Sequence, residues 1–75
     1  MPNINVELFS GRTIEQKRAF VAEVTESTVR ILRVKPEAVR IRLVEMEVWD
    51  LANGGELECD KRGVAVPQGV QTGKR

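Results

Sequence analysis

Pro2, Arg12 and Arg40 are the residues through which this chain can do chemistry. If Met1 is removed, Pro2 becomes the amino terminus and its ring nitrogen is a secondary amine with a free lone pair. Such a nitrogen is a candidate general base on a rigid ring. With Met1 in place, the same nitrogen is a tertiary amide whose lone pair is delocalised into the carbonyl, and it can neither take nor give a proton. A free α-amino group titrates at ~7.7–8.0, and a prolyl amine somewhat higher, so only a moderate drop makes it a usable base at neutral pH. Two arginines beside it would disfavour its protonated form and so supply that drop. They would also grip a dianionic substrate through paired N–H donors.

The composition leaves few competing chemistries. There is no histidine, which removes the usual Ser-His-Asp and Cys-His nucleophile systems. Cys59 is the only cysteine, so neither a disulfide framework nor a structural zinc site is expected. Cys59 itself reads as a small buried or semi-exposed residue. No Gly-rich phosphate loop is present. The acidic residues are dispersed on the helix and second strand, so a metal site would need several chains to supply its ligands and none is expected. A net charge of +1 and three aromatic residues, Phe9, Phe20 and Trp49, argue against a nucleic-acid binder. No apolar run is long enough to span a bilayer and no signal-peptide core is visible, so a cytoplasmic protein is expected.

The elements that position these groups follow from periodicity. Residues 3 to 9 alternate, with Ile4, Val6 and Leu8 on one face and Asn3, Asn5 and Glu7 on the other, which predicts a half-buried strand. Ser10-Gly11-Arg12 breaks it. Thr13, with Gln16 three residues on, forms the signature of a capping box. A helix is predicted from Ile14 to about Arg33, its stripe being Phe20, Val21, Val24, Thr28, Ile31 and Leu32. Lys35-Pro36-Glu37 turns the chain. Val39 to Val48 reads as a second strand, with Val39, Ile41 and Leu43 facing one way and Arg40, Arg42, Val44, Met46 and Val48 the other. Asn53-Gly54-Gly55 marks a turn. Glu56 to Cys59 reads as a hairpin arm and Val64-Ala65-Val66 as a further short strand.

The fold class expected is therefore α+β: a β-α-β unit whose two parallel strands are crossed over by one long helix, followed by a C-terminal hairpin or arm. Residues 1–60 form a single domain, and 61–75 an extension that is a mobile tail or an intersubunit arm. Both faces of the second strand carry apolar side chains, and one helix cannot cover two faces. A two-stranded sheet is also unstable alone. Completion of the sheet by oligomerisation is expected. In a parallel pair, Pro2 lies near the start of the second strand, whereas Arg12 lies at the opposite end of the sheet. Only neighbouring chains could bring all three groups together.

The segments Phe9-Ser10-Gly11-Arg12-Thr13-Ile14-Glu15-Gln16-Lys17, Val39-Arg40-Ile41 with Glu45-Met46, and Asn53-Gly54-Gly55-Glu56-Leu57, behind a second-position proline, resemble the tautomerase superfamily. Within it they are similar to the small 4-oxalocrotonate tautomerase-like subgroup, from Pro2 to about Leu57. The resemblance implies a cofactor-free tautomerase or isomerase, of the kind met in aromatic-compound catabolism. In such enzymes Pro2 would shuttle a proton in a small unsaturated 2-hydroxy or 2-oxo (di)carboxylate. It implies that Arg12 binds the distal carboxylate and that Arg40, from a neighbouring subunit, binds the 2-hydroxy or 2-oxo end. It also implies a homohexamer built as a trimer of dimers. The family's aromatic residue before the Gly-Gly turn falls here on Leu51, which keeps the site apolar but changes its shape. Trp49 and Asp50 precede it as secondary candidates, Trp49 reading first as an interface or core aromatic. Asp50 opens an alternative, a hydratase or dehalogenase of a haloacrylate-type acid in which the carboxylate activates water. If Met1 is retained, a non-catalytic binding module of the same fold is the other alternative.

Overall fold

The computed structural model describes residues 1–70. The chain divides into two units, Met1–Glu45 and a second beginning at Met46. In the first, strand β1 (Asn3–Phe9) leads into helix α1 (Ile14–Leu32), and a single 3-10 turn (Pro36–Ala38) leads into strand β2 (Arg40–Met46). β1 and β2 are hydrogen-bonded neighbours and run parallel, with α1 as the crossover. The alternation expected of β1 is present: Ile4, Val6 and Leu8 are half-buried, while Asn3, Asn5 and Glu7 are exposed. On β2, Ile41 and Leu43 are half-buried, and Arg40, Arg42 and Val44 are exposed.

Helix α1 begins where its cap dictates. The Thr13 backbone is extended and its hydroxyl accepts from the Gln16 N–H at 3.1 Å, while the Gln16 side chain accepts from the Thr13 N–H at 2.9 Å. Two otherwise unpaired helix donors are thereby satisfied. Thr13→Ala is expected to lower the free energy of unfolding by ~1 kcal/mol, read from the urea midpoint at unchanged m-value. The helix stops at Arg33, which adopts a left-handed conformation (φ 57, ψ 53) and donates its N–H to the Val29 carbonyl at 2.9 Å. Pro36, at the first position of the following turn, cannot extend it. Lys17 on α1 pairs with Glu45 on β2 at 2.8 Å, and the Thr28 hydroxyl is satisfied by the Val24 carbonyl at 2.7 Å.

The apolar stripe of α1 is only partly covered. Val21, Val24 and Thr28 are half-buried, but Phe20, Ile31 and Leu32 are 42%, 65% and 58% exposed. Two strands are too narrow to shelter the whole stripe that the helical period marks out.

In the second unit, residues 47–50 form a turn closed in both directions. The Asp50 N–H donates to the Glu47 carbonyl and the Glu47 N–H donates to the Asp50 carboxylate, each at 2.9 Å. Strands β3 (Ala52–Asn53) and β4 (Glu56–Leu57) pair antiparallel, Ala52 opposite Leu57 and Asn53 opposite Glu56. Gly54 and Gly55 join them with φ of 62 and 84, the geometry of a two-residue hairpin turn that side chains with a Cβ resist. The arm read from Glu56 to Cys59 is shorter than expected, because Glu58–Arg62 forms a short helix, α2. Its Cys59 N–H donates to the Val48 carbonyl at 2.8 Å, and the Cys59 side chain is 1% exposed. Lys61 and Arg62, counted with the extension by sequence, are the last residues of α2. Val64-Ala65-Val66 is not a strand: its residues are exposed and pair with no other strand among the described residues. Residues 67–70 close a turn through the Val70 N–H and the Pro67 carbonyl at 3.3 Å. The rest of the expected tail, 71–75, lies outside the described residues.

Candidate active site

The parallel strands put their starts side by side. The Arg40 backbone N–H donates to the Pro2 carbonyl at 3.0 Å, so these two sequence candidates are neighbours within one chain. Pro2 is half-buried, and the Arg40 side chain is exposed. The latter lines a cleft of about 240 Å³ with Asn3, Asn5 and Arg42. All four project from the side of the sheet opposite Ile4, Val6, Ile41 and Leu43, as period-2 alternation requires. The same alternation could have singled out Arg42, Asn3 and Asn5, which sequence reasoning assigned to a face but to no site.

Arg12 lies at the other end. Strand β1 has seven residues, which at ~3.3 Å each separates its ends by roughly 20 Å. Arg12 donates a guanidinium N–H to the Phe9 carbonyl at 3.3 Å, bracing the strand end. It lines a mainly apolar cleft of about 380 Å³ with Val6, Leu8, Leu43, Phe20, Gln16 and Lys17. One chain therefore sets the backbones of Pro2 and Arg40 side by side, turns the Arg40 side chain into a cleft that Pro2 does not line, and leaves Arg12 apart, with Lys17 as a second cation at that far cleft.

The remaining candidates belong to the second unit. Trp49 is half-buried within the 47–50 turn, and Leu51 is 36% exposed with its carbonyl accepting the Glu58 N–H at 2.8 Å. One oxygen of the Asp50 carboxylate is engaged by the Glu47 N–H, which gives that carboxylate a structural task in its own turn. Among the described residues no three His, Cys, Asp or Glu side chains gather as a metal site would require, and no helix is long and apolar enough to cross a membrane.

Comparison with known proteins places these features in context. A family model described as "Tautomerase enzyme" matches residues 2–58. A protein of Streptococcus pneumoniae described as a probable tautomerase is 44% identical over 57 residues, covering 76% of this chain and 95% of its own. A solved 4-oxalocrotonate tautomerase isozyme from Methylibium petroleiphilum is 41% identical, with a TM-score of 0.77, and covers 85% of this chain and all of its own (100%). A structure solved for trans-3-chloroacrylic acid dehalogenase activity is 27% identical with a TM-score of 0.67, over 75% of this chain and 97% of its own. Proteins of two different chemistries thus share this fold.

Proposed function

The chain belongs to the tautomerase family, and from that premise we propose that it is a cofactor-free tautomerase in which Pro2, once Met1 is removed, is the general base and acid. The substrate class is a small unsaturated 2-hydroxy or 2-oxo carboxylate. The Pro2 lone pair takes the enol O–H proton, the O–H electrons form the carbonyl, and the double bond shifts along the chain. The pyrrolidinium then returns the proton to carbon, so no proton or electron is gained or lost. Arg40 of a neighbouring chain binds the carboxylate next to the reacting oxygen and favours the unprotonated amine through its charge. Arg12 from another chain takes the distal carboxylate. The working form is a homo-oligomer, a hexamer on the family pattern, because Arg12 cannot reach Pro2 within one chain.

What carries the reading is that the tautomerase family model matches from Pro2 onward, over residues 2–58, while the 3.0 Å bond from the Arg40 N–H to the Pro2 carbonyl ties Pro2 to the start of the strand pair. Met1 is 87% exposed, which leaves it open to an aminopeptidase. The test joins intact mass with turnover of phenylenolpyruvate on one sample. A mature chain starting at Pro2 that ketonises the enol supports the reading; a mature chain without activity on enols of this class defeats it. Arg40→Ala is expected to cost ~1.5–3 kcal/mol in kcat/KM, the loss of a charge-assisted hydrogen bond. Wild-type kcat/KM in that variant would remove Arg40 from the site.

A further inference from the structure

We propose that Lys17 is a specificity-determining residue: with Arg12 it forms a two-cation site for a carboxylate at the tip of an apolar chain, and Glu45 is the counter-ion that such a carboxylate displaces. This rests on the assignment of the distal carboxylate to Arg12 above and adds a second residue that binds it.

Both cations come from one chain and line one cleft of about 380 Å³. Arg12 directly precedes the Thr13 cap of α1, and the Lys17 N–H donates to the Thr13 carbonyl at 3.1 Å, so the start of the helix fixes their spacing. The cleft is roughly a dozen times the ~30 Å³ share of one water, room for a carboxylate and several carbons. Val6, Leu8, Leu43 and Phe20 make the rest of its lining mainly apolar, and no acidic side chain lines it. The Gln16 side-chain oxygen is held by the Thr13 N–H, which leaves the NH₂ donor as its free end.

Arg12 enters none of the ion pairs among the described residues. One of its N–H groups goes to the Phe9 carbonyl, and the other donors remain. The Lys17 ammonium has three donors and pairs at 2.8 Å with one oxygen of Glu45, which is not among the cleft residues. The two side chains are 26% and 36% exposed, so water screens the pair and leaves it weak. A carboxylate entering the cleft can therefore compete with Glu45 for Lys17. Its two oxygens offer about four lone-pair sites, enough for Arg12 and Lys17 together. The apolar walls add a second requirement. A compact hydrated anion gains nothing from them, whereas a hydrocarbon segment leaves water against Val6, Leu8, Leu43 and Phe20. The ligand class is an acid whose charge stands at the end of such a segment.

Muconate and sorbate, both in the all-trans form, test this. They share a diene-acid skeleton and differ at the far end, where muconate has a carboxylate and sorbate a methyl group. Neither is an enol. Their binding to the wild type, Lys17→Gln, Lys17→Arg and Glu45→Gln is measured by calorimetry, with sedimentation of the same samples. The wild type is expected to prefer muconate. Lys17→Gln is expected to weaken muconate roughly tenfold, the scale for losing a hydrogen bond to a charged group, and to leave sorbate unchanged. Lys17→Arg should keep most of the muconate affinity, because the charge remains. Glu45→Gln breaks the same ion pair but removes the competitor, so muconate should tighten, by up to about fivefold. The opposite signs are diagnostic. If Lys17 served only to tie α1 to β2, both variants would break that tie and shift muconate the same way, which overturns the proposal. It is also overturned if the wild type shows no preference for muconate, or if Lys17→Gln weakens both ligands alike. Where Lys17→Gln fails to assemble, Glu45→Gln decides: looser or unchanged muconate overturns the proposal, and tighter muconate supports it. Neither ligand needs a proton shuttle. A muconate preference that depends on Lys17, without enol turnover, would defeat the proposed reaction and leave the Lys17 assignment standing. Enol turnover with no muconate preference would do the reverse.

Discussion

A chain that keeps any residue in front of Pro2 is expected to lose about 10²- to 10⁴-fold in turnover, the contribution of a positioned general base. A preceding residue turns the ring nitrogen into a tertiary amide, and an amide nitrogen has no lone pair to offer. The arginine cleft is untouched by that change, so binding of an inert carboxylate should survive. Paired measurement of kcat and of inhibitor affinity on blocked and mature protein separates the two. Pro2→Ala is a milder version. Once its Met1 is removed, alanine presents a primary amine at the same place, but without the ring that fixes φ. Its activity should fall between the mature and the blocked forms. Equal activity in all three forms would exclude the amine from the reaction.

The second large effect is expected on dilution. Among the described residues Cys59 alone is fully buried, while Ile14, Ile31 and Leu32 are each more than half exposed. Full burial of a side chain of this kind stabilises by ~1.5–3 kcal/mol, and a two-stranded sheet lacks independent stability. Folding is therefore expected to be coupled to association, with an apparent stability that depends on protein concentration. A tenfold dilution removes on the order of 1 kcal/mol per chain, which in a domain of this size lowers Tm by roughly 4–8 °C. Helical circular dichroism and the oligomer's sedimentation should disappear together. A Tm unchanged over a hundredfold dilution, with a folded monomer in sedimentation, would overturn the coupling.

The first unit was legible in the sequence because its signals are local and mutually consistent. Alternation from Asn3 to Phe9, the Thr13–Gln16 box and the turn at Pro36 each fix one boundary within a few residues. The neighbourhood of Pro2 and Arg40 followed from strand polarity alone. Less was legible in the second unit. Glu58–Arg62 is five residues long, too short to display a helical period, so Cys59 read as part of a strand. Val64-Ala65-Val66 has strand-forming residues, but propensity cannot supply a pairing partner. The helix stripe was correct as a period yet misleading as a burial map, since Phe20, Ile31 and Leu32 need neighbours that one chain does not provide.

The bond from the Arg40 N–H to the Pro2 carbonyl has a mechanical meaning as well. A side-chain base reaches its substrate through rotatable χ bonds, and neighbouring side chains must hold it still. A terminal proline has no such joint. Its nitrogen is part of the main chain, φ is closed by the ring, and the remaining torsion is restrained when the carbonyl is engaged. In the proposed reaction, aim would thus be a property of how β1 and β2 register against each other, not of packing around the site. Repacking nearby side chains leaves the nitrogen where it is, whereas slipping the strand pair by one residue carries it about 3.3 Å along the sheet and turns it toward the other face.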